Sequence, residues 1–157
     1  MWIIDFEASG LSKKSYPIEV GITNGSDNYS AIIKPMLHWN YWEKEAELVH
    51  NIPRSELENN GILAEKVTAD LNNLVGNDTV YCDCVNWDRF WLNVLFSDNA
   101  IQPKFEILDI RTLLLDNYEK IAKYETNRTK LEASGLFQSH RALDDATMIH
   151  RALHNIF

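Results

Sequence analysis

Apolar residues recur along this chain with two different periods, and the change from one to the other marks out its secondary structure. Residues 1–6 form an apolar run that breaks at Asp5, and "PIEVGITN" (17–24) and "NYSAIIK" (28–34) are rich in β-branched residues, so three consecutive strands are predicted. "NGSDN" at 24–28 carries the turn residues of a hairpin between the second and third. The apolar spacing then lengthens to about 3.6 residues over 41–50 and 62–75 ("ILAEKVTADLNNLV"), which predicts helices. "TVYCDC" at 79–84 reads as a short buried strand and the stretch from Trp87 to Phe96 as a helix. "KFEILDI" at 104–110 adds a fifth strand, followed by helices over 111–124 and 141–155.

This order, β-β-β-α-β-α-β-α, implies an α/β fold in which an antiparallel hairpin leads into parallel strands. The expected architecture is a ribonuclease H-like mixed five-stranded sheet flanked by helices. With 157 residues and no repeat, linker or low-complexity stretch, a single domain over 1–157 is expected.

Charge narrows the partners. Lys and Arg total 15 against 23 Asp and Glu, a net charge of −8. Proteins that track long polyanions usually carry the opposite balance, because phosphate neutralisation supplies most of their non-specific affinity. Acidity does not exclude a phosphate substrate, since bound divalent cations reverse the local field. No apolar stretch reaches the ~20 residues of a spanning helix and the N-terminus lacks a basic, then apolar, leader, so no membrane partner and a cytoplasmic location are expected. Cys82 and Cys84 are too few for a zinc site and read as reduced thiols in a strand. The sequons at Asn24, Asn28, Asn77 and Asn127 are uninformative chance matches if the chain is never secreted.

Several acids stand where a packed fold does not welcome them. Asp5 and Glu7 end the first strand on one side of it, about 6.6 Å apart, and repel each other unless a cation intervenes. Asp88 falls in the first turn of its helix, with Asn86 as the expected N-cap, where the helix dipole favours a negative charge. Yet Asp88, Trp91, Leu92 and Leu95 follow i, i+3, i+4, i+7, so this carboxylate lies along the apolar stripe. In "SHRALDDATMIHRAL", Asp145 lies on the stripe of Ala142, Ala146, Ile149 and Leu153, whereas Asp144 is turned about 100° away, beside Arg141 and Arg151. Ala142 and Ala146 would let this helix approach the sheet closely, and His140 is expected in the approach to the helix, leaning over the same pocket. A buried acid needs a partner or a metal. Asp5, Glu7, Asp88 and Asp145 together offer hard oxygen ligands suited to Mg²⁺ or Mn²⁺.

At these residues the sequence resembles the DEDDh, or DnaQ-like, family of 3′–5′ exonucleases: "IIDFEASGL" is similar to its first motif, "NWDRFWL" to its second and "HRALDDA" to its third. "VHNIP" at 49–53 resembles a segment common between the first two. The resemblance implies one exonuclease domain in which Asp5, Glu7 and Asp145 hold two Mg²⁺ or Mn²⁺ ions, Asp88 joins directly or through water, and His140 is the general base. It also implies that Leu11 wedges against the terminal base, that the backbone near Ala8 and Gly10 meets the terminal sugar, and that His50 touches substrate. The implied reaction releases nucleoside 5′-monophosphates from the 3′ end of single-stranded or short DNA or RNA. Ala8 and Ser9 stand where threonines are frequent in the family, and Trp87 where Phe is frequent; these departures bear on substrate fit alone.

Trp39 and Trp42, in "HWNYW", are the tryptophans best suited to stack on bases, while Trp2 and Trp91 are expected in the core. Lys13 and Lys14, and Lys123, Arg128 and Lys130, read as solvated loop residues. Three alternatives stay open: action on RNA ends, restriction to DNA proofreading or repair, and a non-catalytic binding module on the same fold. The sequence equally leaves open a homodimer or a larger replication, repair or RNA-processing assembly.

Overall fold

The structure, a computed structural model, describes residues 1–115 and 117–157. Strands β1 (Trp2–Ala8), β2 (Pro17–Thr23) and β3 (Asn28–Lys34) form an antiparallel meander. Its second turn is tied by Asn24, whose Oδ1 accepts the N–H groups of Ser26 and Asp27 at 2.9 and 2.7 Å. There follow α1 (Lys44–His50), α2 (Arg54–Asn60), β4 (Ile62–Leu63), α3 (Ala64–Val75), β5 (Thr79–Cys82), α4 (Val85–Asp98), β6 (Glu106–Asp109), α5 (Arg111–Leu114), α6 (Tyr118–Ala133) and α7 (Ala142–Ala152). The sheet order is β4-β3-β2-β1-β5-β6, with β5 parallel to β1 and β6 parallel to β5. This is the mixed α/β arrangement expected, with helices on both faces.

The differences have local causes. A sixth strand exists because Ile62 and Leu63, which continue the apolar spacing of the helix after them, pair in parallel with Ile33 and Lys34 at the sheet edge. Helix α2 has a single buried residue, Leu57, and so shows no apolar stripe in sequence. The helix expected over 111–124 is two: α5 stops at Leu115, which is left-handed (φ 51°), and α6 starts anew with Asn117 Oδ1 accepting the Lys120 N–H at 3.1 Å. Residue 116 of that stretch lies outside the described residues. Because α6 runs on to Ala133, Lys123, Arg128 and Lys130 are helical and not loop residues. Helix α4 begins at Val85, so Cys84 takes the N-cap position, Asn86 lies inside the first turn, and only Cys82 is within the strand. Both thiols are free. No helix among the described residues is long and apolar enough to cross a membrane.

Alternation along β1 divides the core. Trp2, Ile4, Phe6 and Ala8 join the cluster that packs against α3 and α4, while Ile3 joins Ala146, Ile149 and Leu153 on the other face. Asp5 and Glu7 share the parity of Ile3 and therefore face α7. Across β2, Asp5 is opposite Gly21 and Glu7 opposite Glu19.

That pairing seats α7. A Cβ at Gly21 would lie 2.1 Å from Leu143 N and 2.2 Å from the Ala142 carbonyl carbon, so backbone rests on backbone. The buried Glu19 fixes the helix end: its Oε1 takes Arg141 Nη2 at 2.8 Å and its Oε2 takes the Ala142 N–H at 3.1 Å. Arg141 is therefore an anchor at the N-cap, not a member of an outward face. Ala142 and Ala146 are fully buried, as the close approach requires. Replacing Gly21 by Ala forces α7 off the sheet, and overpacking of this kind costs about 1–3 kcal/mol. A thermal melt of Gly21→Ala should fall by several degrees, at about 2–4 °C per kcal/mol for a domain of this size; an unchanged melt contradicts the seating.

Candidate active site

The carboxyl ends of β1 and β5 and the amino ends of α4 and α7 meet at one end of the sheet, the position where open α/β sheets form their crevices. Two groups of ligand atoms gather there. Glu7, His140 and Asp145 each offer one within 4.8 Å of the others, and so do Asp5, Asp83 and Asp88. The five residues singled out by the motifs, distant in sequence, are thus neighbours. A fifth acid, Asp83, joins them without having been anticipated. It follows directly on β5, and the signal available for it was an acid at the end of a parallel strand, the same signal that marks Asp5.

Each side chain is held by its backbone setting. Asp88 is in the first turn of α4 and is 1% exposed, which fulfils the prediction from the apolar stripe. Its Oδ2 is buried with no hydrogen-bond partner. His140 precedes the α7 N-cap in a left-handed conformation (φ 60°), and its N–H donates to Asp145 Oδ2 at 2.8 Å. The ring is thereby turned toward the pocket while remaining exposed to solvent. Asp144 accepts the Gln138 N–H at 2.8 Å, so it ties down the approach loop, and it belongs to neither group of ligand atoms.

Burial and mutual repulsion raise the proton affinity of these acids. Desolvation, then the charge of Asp88, lifts the Asp5 carboxyl well above the ordinary carboxylate range. Glu7 is pushed up to about 8 by burial and the Asp145 charge, and Asp88 to about 7 by burial and the Asp83 charge. Burial also raises Asp145. Crowding of this kind disfavours the charged carboxylates, and positive charge among them would favour that form. Oxygen donors, one imidazole and a buried unpartnered oxygen fit Mg²⁺ or Mn²⁺.

Beside the acids lies a cleft of about 270 Å³ lined by Glu7, Ala8, Gly10, Leu11, Val49 and His50, among others. Leu11 is 66% exposed at its lip. Glu43, not anticipated, covers Gly10: a Cβ there would meet Glu43 Cδ at 2.5 Å, and Glu43 Oε2 accepts the Leu11 N–H at 3.2 Å. His50 is buried; its Nδ1 accepts the Ile52 N–H at 3.0 Å, which leaves the proton on Nε2, and that nitrogen is buried without a partner. Burial lowers its pKa, favouring the neutral ring.

The aromatic expectation needs correction at Trp39. It is buried, stacked on Tyr16 at 5.1 Å and bonded through Nε1 to Asp98 at 2.7 Å, so it offers no face to a ligand. Trp42 is half-buried, donates to Glu47 at 2.6 Å and packs its edge on His50. Trp2 and Trp91 are core, as expected.

No family model and no curated protein matches the sequence. Solved structures do match in fold. E. coli exonuclease I in a zinc-bound complex with single-stranded DNA superposes with a TM-score of 0.71 at 16% identity, over 95% of this chain and 38% of that one. A 3′-exonuclease bound to histone mRNA stem-loop gives 0.71 at 16% identity, over 96% and 61%. Exonuclease I of Methylocaldum szegediense gives 0.65 at 14%, over 94% and 38%. The chain thus spans 38% to 61% of the length of these proteins.

The raised carboxyls make a stability prediction. Groups whose pKa is higher folded than unfolded contribute stability that is present below the unfolded value and lost as pH rises through the folded one. Between pH 6.5 and 8.5 Glu7 and Asp88 govern the slope, opposed only at the lower end by His50 and His150, whose lowered pKa adds stability while the unfolded imidazoles lose their protons near ~6.5. In chelator, the melting temperature should fall by several degrees across that window, and saturating Mn²⁺ should remove most of the fall; a flat or rising profile in chelator contradicts the electrostatics. The chain has the ribonuclease H-like fold of these exonucleases, the architecture expected from its order of strands and helices.

Proposed function

We propose that this chain is a divalent-cation-dependent 3′–5′ exonuclease of the cytoplasm that trims single-stranded or short DNA or RNA and releases nucleoside 5′-monophosphates. The observation that carries it is the gathering of Asp5, Glu7, Asp88, Asp145 and His140 from three elements and the loop before α7, beside a cleft sized for a nucleotide. The fold shared with exonucleases supports it.

Asp5, Glu7, Asp88 and Asp145 would hold Mg²⁺ or Mn²⁺. Two such ions supply a nucleophile at neutral pH and neutralise charge on the phosphate and the leaving oxygen. His140 is the general base: its exposed imidazole, beside Glu7 and Asp145, can take the proton of the attacking water and pass it to solvent. Asp145 has a second task, because its carboxylate holds the His140 backbone.

The cleft would take the terminal nucleotide. Leu11 at the lip would present an apolar side chain to the base, and the sugar would reach the backbone at Ala8 and Gly10 once the Glu43 side chain, which covers Gly10, moves aside. The neutral His50 offers its Nε2–H to a substrate oxygen, which would satisfy that buried nitrogen. A net charge of −8 with this narrow grip favours short or single-stranded ends over long duplexes. Neighbouring structures contain single-stranded DNA in one case and a histone mRNA stem-loop in another, so both sugars belong in the assay.

Matched RNA and DNA oligonucleotides labelled at either end test this directly. A 3′ label should leave first as a mononucleotide, and a 5′ label should shorten one nucleotide at a time, only with Mg²⁺ or Mn²⁺. Asp5→Ala, Asp145→Ala and His140→Ala should lower turnover by about 10²–10⁴-fold with the circular dichroism unchanged. Asp144→Ala should lose only severalfold, since it removes a loop contact. Internal cuts, shortening from the 5′ end, or equal losses at 144 and 145 would overturn the reading.

A further inference from the structure

We propose that Asp83 is a third carboxylate ligand of the cation held by Asp5 and Asp88, and that Arg128 is the partner Asp83 gives up when that ion binds. This rests on reading the pocket as a cation-dependent nuclease site.

The sheet brings Asp83 and Asp5 side by side. Strand β5 runs parallel to β1 with Ile3 opposite Tyr81, and Asp5 and Asp83 each stand two residues further on, toward the same face. Neighbouring strands are about 4.8 Å apart, so two carboxylates at this level repel each other directly. Asp88 closes the group from α4, and ligand atoms of all three lie within 4.8 Å of one another.

The charge within the group is unbalanced. Its close basic partner is Arg128 on α6, whose Nη1 meets Asp83 Oδ2 at 2.5 Å. One guanidinium, itself shared with Glu132, does not balance three carboxyl groups, so the group is short of positive charge. Asp88, 1% exposed, also keeps an oxygen in the interior with no hydrogen bond. A buried acceptor left in that state is costly, and a cation among the three acids would satisfy it.

Arg128 is built to release Asp83. Its Nε already holds Glu132 Oε1 at 3.0 Å, one turn along α6, and its Nη1 lies 3.4 Å from the Tyr124 hydroxyl. When Asp83 turns to the ion, the guanidinium keeps these contacts and stays charged. With three acids of its own, this ion needs no phosphate oxygens to bind.

Titration with Mn²⁺ in the absence of nucleic acid, followed by calorimetry and by the Mn²⁺-induced rise in melting temperature, tests this. The unaltered chain should bind two Mn²⁺. Asp83→Asn should weaken one by about tenfold or more and leave the other unchanged. If Asp83→Asn binds both ions normally while Asp5→Asn does not, Asp83 only anchors α6 and the proposal falls, with the nuclease reading intact. If neither variant changes Mn²⁺ binding, both fall. Arg128→Met keeps Asp83 in place and covers a failure of Asp83→Asn to fold: it should tighten one ion severalfold and the other hardly at all. Unchanged binding, or equal tightening of both ions, overturns the proposal.

Discussion

The contact between α7 and the sheet leaves no room for a side chain at Gly21, and the geometry of the pocket follows from it. Asp145 and His140 belong to α7 and the loop before it; Asp5 and Glu7 belong to β1, the strand next to Gly21. Had the helix ridden on a layer of side chains, it would stand several ångströms further out and the acids of the two elements could not share an ion. Buried Glu19 adds direction to closeness, because it takes both the Arg141 side chain and the first N–H of the helix. Glu19 is buried while Arg141 is partly open to solvent, and a buried acid stripped of its partners is costly, so the anchor holds where the pocket needs rigidity.

The pocket itself works against the fold. Five acids meet at the sheet end, and burial and repulsion drive several of them toward the protonated state. Hydrophobic clusters on both faces of β1 hold them there. Local sequence and global structure disagree at this one place, as expected where function is at odds with stability. Cations bound among the acids would resolve the conflict, and affinity for them would be the other side of the instability.

Much of this was legible in the chain. Asp88 and Asp145 betray themselves as acids on apolar stripes, and Ala142 and Ala146 announce a close helix. These signals are local, carried by residues within two turns of one another. Asp83 and the Glu19–Arg141 pair depend instead on partners 45 and 122 positions away, which no periodicity reveals. Trp39 failed for the same reason: a tryptophan in a polar stretch looks available until Tyr16 and Asp98 are seen to enclose it. The edge strand β4 was hidden because two apolar residues before a helix look like its first turn.

The central claim is that acids distant in the chain converge to trap divalent cations. Anomalous scattering from crystals grown in Mn²⁺ reads this most directly. The predicted map has two strong peaks at the sheet end, one in contact with Glu7 and Asp145 and one among Asp5, Asp83 and Asp88. A map with Mn²⁺ only on surface acids such as Asp27 or Glu106, and none at the ends of β1 and β5, would contradict it.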